Sequence, residues 1–215
     1  MIRLCERLSI VVLASSIFFL TGCGSSTTQV RLMNAYNGQS SVNLLVNNNT
    51  LASGVAYGSA SGYARTSSGS QSVQINAGSG SLLNSTLTIS GGNNNTIVAT
   101  PLGASIFTDN KATPPTNDIQ IRAINASNSL GTLDVYIVPP NTDLSAMQPT
   151  ASLAFRAASN YVTLAVGTYQ AEFCLSGSKI PIINSGALAL TNGQIRTVVS
   201  LDGNGFSTTV LTDLN

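Results

Sequence analysis

Gln29-Val-Arg-Leu-Met-Asn-Ala35 and Gln120-Ile-Arg-Ala-Ile-Asn-Ala126 are two versions of one seven-residue segment, set 91 residues apart in a chain of 215. The correspondence continues in order along the chain. Val55, Tyr57, Tyr63 and Gly69 meet Leu153, Phe155, Tyr161 and Gly167 at an offset of 98. Leu87, Ile89, Gly92 and Thr96 meet Leu188, Leu190, Gly193 and Thr197 at 101, and Thr108-Asp109 meets Thr212-Asp213 at 104. An offset that only grows is what duplication followed by loop insertion produces, with the extra residues around 127–131 and 139–150. The chain therefore reads as two modules, 30–109 and 119–215, joined by 110–118. Asn110-Lys-Ala-Thr-Pro-Pro-Thr-Asn117 has the composition of a linker, and Pro114-Pro115 is expected to hold it extended and stiff.

Within each module apolar residues recur at every second position: Val42, Leu44 and Val46; Val73 and Ile75; Leu133, Val135 and Ile137; Val162, Leu164 and Val166. Period two with β-branched enrichment means half-buried strands. Between the runs stand Asn47-Asn-Asn49, Ser68-Gly69, Asn192-Gly193 and Asp202-Gly-Asn-Gly205, residue types that accept the positive φ of tight turns. No segment after residue 22 sustains a helical period. The fold class is all-β: two tandem immunoglobulin-like antiparallel β-sandwiches after an N-terminal signal peptide. A single elongated barrel is the architectural alternative, and the proline linker weighs against it.

Residues 1–22 have the parts of an export signal: Arg3 and Arg7, an apolar run from Leu8 to Leu20, and small residues before Cys23. That run is shorter than the roughly 20 residues of a membrane-spanning helix. Leu20-Thr-Gly-Cys23 resembles the lipobox of bacterial lipoproteins, which implies cleavage before Cys23 and lipidation of its sulfur. Residues 23–29 are then the lipidated cysteine and a polar tether, spanning roughly 14 Å on square-root scaling. Gly24, in place of an aspartate, favours the outer membrane as the address, with the periplasmic or surface face left open.

Beyond the leader, seven basic residues stand against seven acidic ones. Such a chain has no basic stripe for nucleic acid and no long-range field to steer a charged partner. It contains no histidine, so a histidine-based triad or a typical zinc site cannot be built, and its carboxylates form no close sequence pair. No cofactor, no metal and no catalytic residue is expected. After loss of Cys5 and lipidation of Cys23, Cys174 is alone, which excludes an intrachain disulfide and suits a small buried hydrophobe.

Ligand-contact candidates are few. Tyr57 and Tyr63, matched by Phe155 and Tyr161, form a recurrent aromatic pair that suits core packing or, if exposed, stacking on sugar rings. Asp134 alternates with Leu133 and Val135, which puts it on the opposite face as a solvated or turn-capping residue or as a ligand contact. Arg31 and Arg122 recur at equivalent places, as a structural ion pair or strand-edge contact would. Asp202-Gly-Asn-Gly205 is part of a calcium-loop pattern without the later acidic ligands, and a hairpin turn accounts for it.

Val30-Arg31 and Asn34-Ala35, Leu51-Ala-Ser-Gly-Val-Ala-Tyr57, then Ile121-Arg122, Asn125-Ala126, Leu133-Asp-Val-Tyr136 and Val166-Gly-Thr-Tyr169 resemble the bacterial family called domain of unknown function 4397. The resemblance runs over nearly all of residues 29–215 and implies an exported β-sandwich with no assigned activity. The expected protein is a membrane-anchored bacterial envelope or surface lipoprotein, a non-enzymatic binding or structural module. Its partners would be the membrane, through lipid on Cys23, and a glycan or envelope protein. A carbohydrate- or peptide-binding adhesin and a carboxylate-dependent hydrolase are the alternatives.

Overall fold

The computed structural model describes residues 27–78, 80–203 and 205–215. The leader, Cys5, Cys23 and most of the tether lie outside the described residues. The N-terminal half contains β1 (Gln29–Asn34), β2 (Ser41–Val46), β3 (Asn49–Ala56), β4 (Ala64–Arg65), β5 (Gly69–Ala77), β6 (Gly80–Ile89), β7 (Asn94–Thr100) and β8 (Gly103–Asp109). The C-terminal half contains β9 (Asp118–Asn125), β10 (Leu133–Val138), β11 (Ala151–Leu153), β12 (Val162–Ala165), β13 (Gly167–Leu175), β14 (Pro181–Asn184), β15 (Leu188–Leu190), β16 (Ile195–Leu201) and β17 (Ser207–Leu214). Among the described residues there is no helix, and the chain is all-β as its periodicity indicates.

Each half forms two sheets. In the first, β4-β1-β7-β8 faces β3-β2-β5-β6; in the second, β12-β9-β16-β17 faces β11-β10-β13-β14, with β15 also on β13. Alternation fills the space between them: Val30 and Leu32 of β1 meet Val42, Leu44 and Val46 of β2, while Ile119 and Ile121 of β9 meet Leu133, Val135 and Phe173. Asn47 and Asn48, at φ 48° and 64°, make the two-residue turn joining β2 to β3. Asparagine enters this left-handed region more readily than other side chains because its short amide bonds locally.

Two pairings depart from the antiparallel expectation. β1 runs parallel to β7, with Arg31 beside Thr96, and β9 runs parallel to β16, with Arg122 beside Thr197. Parallel neighbours need a long crossover, and here strands of the opposite sheet supply it in both halves.

In the sheets carrying β1 and β9, the central strands are buried on both faces. Their outward residues do not meet water: Met33, Ala35 and Val98 of one half pack on Ile124, Ala126, Val199, Leu201 and Leu211 of the other. This explains why Val30 to Asn34 is buried at every position, where a half-exposed strand would alternate. The connecting segment is not the extended spacer its prolines suggested. Pro114 is buried, and the Asp118 N–H donates to the Pro115 carbonyl at 3.0 Å, turning the chain back beside the seam.

β10 also departs from alternation, since all six of its residues are buried. The segment 139–150 brings Leu144 and Met147 over the outer face of its sheet, against Tyr136, Val138 and Cys174. A period-two pattern locates one buried face and carries no signal for a loop that covers the other.

Because the halves share an apolar seam, they should unfold together. Calorimetry should show one transition, and Ile124→Ala, which empties a fully buried site in the seam, should lower the stability of the whole chain by about 2–5 kcal/mol. Two separate transitions, with only one of them moved by this substitution, would contradict the shared core.

Candidate functional site

Four of the buried charges, Arg31, Asp109, Arg122 and Asp213, converge on the seam. Arg31 donates from Nη2 to Asp213 and from Nη1 to the Thr212 carbonyl at 2.8 Å, both in the C-terminal half. Arg122 returns the arrangement, donating from Nη2 to Asp109 and from Nη1 to the Thr108 carbonyl at 3.0 Å. Within each half, the arginine Nε donates to the threonine beside it in register, Thr96 or Thr197, at 2.8 Å. Those hydroxyls pass a hydrogen bond on to the home aspartate: Thr96 to Asp109 at 2.6 Å and Thr197 to Asp213 at 2.5 Å. The side chains of these arginines and aspartates are at most 4% exposed. Two cations and two anions thus form a neutral buried cluster whose two short ion pairs cross between the halves, with a longer contact of 3.8 Å from Arg31 to Asp109 of its own half.

Tyr63 and Tyr161, expected as core or ligand contacts, complete the same cluster. The Tyr63 hydroxyl donates to Asp109 at 2.6 Å and the Tyr161 hydroxyl to Asp213 at 2.8 Å. Their rings lie under Arg31 and Arg122, with the guanidinium carbon 4.7 and 4.6 Å from the ring centre. Burial and the neighbouring Asp109 push the Tyr63 hydroxyl well above the ordinary tyrosine range, against the pull of Arg31. Burial does the same for Tyr161, opposed by Arg122. Both stay protonated donors, and both aspartates are fully engaged as acceptors, so the cluster fastens the halves and leaves no free base or nucleophile.

The other aromatic pair flanks the seam asymmetrically. Phe155 is half-buried beside Arg156, which holds φ at 65° and reaches the β7–β8 turn with bonds to Ser105 Oγ at 2.8 Å and to the Leu102 and Ala104 carbonyls at 3.2 and 2.6 Å. Gly58 stands at the matching place of the other half, also at positive φ. Beside it Tyr57 packs on the seam core, its hydroxyl buried with no hydrogen-bond partner among the described residues. Next to this end of the seam, β3 and the segment 59–64 border an open groove of about 580 Å³, lined by Ser53, Ser59, Ser61 and Tyr63 among others.

A family model matches residues 28–136, about half of the chain, under the description domain of unknown function. The chain belongs to the DUF4397 family. No curated protein matches it. Among solved structures, it is similar to CBMbc, a family CBM26 module from Eubacterium rectale Amy13K in complex with maltoheptaose, at 11% identity and a TM-score of 0.29 over 87% of this chain and 98% of that one. A structure described as alpha-glucan binding by a streptococcal virulence factor is similar at 9% identity and a TM-score of 0.28, over 85% and 97%. A leucine-rich repeat protein from Bacteroides thetaiotaomicron matches at 16% identity and 0.23, over 86% of this chain and 27% of its own length.

The DUF4397 match ends at Tyr136, within β10, short of the nearly complete span that the motif resemblance suggests. Around that end point lies a buried polar layer of the C-terminal half. Asp134 is not solvated: it is 7% exposed and accepts the Gly177 N–H at 2.7 Å, capping the turn after β13. Lys179 donates to the Tyr136 hydroxyl at 2.9 Å and to the Met147 carbonyl, pinning the covering loop. Cys174 is fully buried between these layers; burial, with Glu172 and Asp134 nearby, pushes its thiol up to about 11, which fits an unreactive packing residue. Asp202, from the calcium-like pattern, accepts from the Ser127 hydroxyl and from the Asn128 and Ser129 N–H groups at 2.9 and 3.2 Å, so it organises a turn. Among the described residues no cluster of three metal-ligating side chains exists.

Removing one partner of a buried pair leaves the other charge stranded. Arg31→Met should cost about 3–5 kcal/mol in urea unfolding, and Arg31→Met combined with Asp213→Leu should recover part of that, the remainder being the orphaned Tyr161 and Thr197 donors. A loss no larger than the roughly 0–1 kcal/mol of an exposed pair would show that the seam is hydrated.

The tyrosines set an alkaline limit. Their folded pKa values lie above the roughly 10 of an unfolded tyrosine, so their contribution is complete below that pH and lost as pH rises through the folded values. The melting temperature should fall above about pH 10. Tyr63→Phe with Tyr161→Phe should be less stable at neutral pH but show a flatter alkaline limb, measured by thermal melts across pH.

Proposed function

We propose that this member of the DUF4397 family is a non-enzymatic structural module of the bacterial envelope, held to the membrane by lipid on Cys23. The crossed Arg31–Asp213 and Arg122–Asp109 pairs carry the reading. They join the halves into a stiff unit and engage Asp109 and Asp213, the two carboxylates that the fold brings together at the seam of this histidine-free chain. β1 starts at Gln29, so the tether after Cys23 is short and the folded unit rides close to the lipid. Two or three acyl chains, at about 0.8 kcal/mol per buried methylene, make such an anchor close to permanent. Gly24 favours the outer membrane where the cell has one.

The groove between β3 and 59–64 favours a second reading, an adhesin that takes a neutral glycan or peptide against its serine rim and the Tyr63 ring. Metabolic labelling with palmitate tests the first: the native chain should incorporate label and sediment with membranes, and Cys23→Ala should do neither. An unlabelled native chain rejects the anchor. A glycan-array signal abolished by Ala60→Trp, which fills the groove, would put the adhesin in place of the structural module.

A further inference from the structure

A strand at the edge of a sheet presents unpaired N–H and C=O groups that template another strand, and proteins guard such edges with shortness, bulges, charge or proline. Most edges here are guarded. β4 has two residues, β11 three, and β12 and β14 four each. β3 has two register shifts against β2 and Gly54 at φ 63°. β8 and β17 carry Asp109 and Asp213 into the seam.

β6 is the least guarded edge, with a single register shift near its start, where Leu82 is the extra residue between the Ile75↔Leu83 and Asn76↔Ser81 pairs. It is ten residues long, pairs with β5 along one side from Gly69↔Ile89 to Ala77↔Gly80, and has no backbone partner on its other side among the described residues. It contains no proline, and no charged residue occurs between Arg65 and Asp109. Its side chains alternate: Leu83, Ser85 and Leu87 stand beside the buried Ile75, Val73 and Gln71, while Asn84, Thr86 and Thr88 are exposed. Leu83 and Leu87 pack on the N-terminal core yet stay only partly buried.

We propose that β6 pairs with β6 of a second copy, antiparallel about a two-fold axis at Ser85, joining the two β3-β2-β5-β6 sheets into one continuous sheet. This register keeps each side chain on its own face. It sets Leu83 opposite Leu87 of the second copy, twice, so the apolar core continues across the join, and it sets Asn84 opposite Thr86. The absence of charge on β6 removes the like-charge repulsion that self-pairing otherwise meets. A two-fold contact is self-complementary and closed, so assembly stops at the dimer. The join lies on the sheet facing away from the seam and leaves the arginine–aspartate cluster untouched.

Sedimentation of the full chain in detergent should give twice the chain mass. Ser85→Cys should form a disulfide-linked dimer on mild oxidation, because paired strands bring the two sulfurs within bonding geometry, whereas Ser53→Cys on β3 should not exceed the native chain. Asn84→Lys with Thr86→Lys places lysine opposite lysine twice at exposed positions; it should halve the sedimenting mass and abolish the concentration dependence of the melting temperature, while the monomer still melts cooperatively. A monomeric native chain overturns the proposal, as does a lysine variant that remains dimeric or a Ser85→Cys chain that links no better than Ser53→Cys.

Discussion

Two arginines that each cross to the other half's aspartate hold this molecule in one piece. A guanidinium or carboxylate taken out of water costs several kcal/mol unless its hydrogen-bonding capacity is matched. Each charge here is matched: the arginines by a carboxylate, a carbonyl and a threonine hydroxyl, the aspartates by arginine, threonine and tyrosine. The Coulomb gain of such a cluster roughly offsets its desolvation, so its main effect is on specificity. Any other docking of the two halves would strand four buried charges, and the apolar contacts around Met33 and Ile124 cannot compensate for that.

The burial of β1 and β9 on both faces follows from the same constraint. Val30 and Leu32 turn toward the home sandwich, while Arg31 and Met33 turn toward the other half, so one strand serves two interfaces. Tyr63 and Tyr161 are drawn in because a buried aspartate needs more donors than one arginine supplies. The aromatic residues that could have offered a sugar platform are thereby spent largely on structure, while Tyr63 also borders an open groove.

Much of this was legible in the chain. Alternation located the β2 and β5 strands, and asparagine and glycine marked the turns. The matched segments singled out Arg31 with Arg122 and Tyr63 with Tyr161. They also contained Asp109 and Asp213, and Thr96 and Thr197, as equivalent positions; that recurrence was the available signal for their roles, but charge identity and spacing do not say which arginine meets which aspartate. Alternation reads β10 as half-exposed, whereas its second face is buried by residues 139–150, which lack periodicity of their own. Asp134, read as a solvated or turn-capping residue or a ligand contact, is buried and caps the turn at Gly177.

By itself, the sequence determined the all-β class, the strand and turn positions, the internal correspondence and the poverty of catalytic groups, because each depends on local periodicity, turn stereochemistry or composition. The tertiary structure alone decided that the halves meet face to face, that their short ion pairs cross, that the proline segment turns back, and that β6 is the least guarded edge. Those properties depend on which surfaces meet at separations of up to 182 residues along the chain, and no local pattern encodes a distance in space.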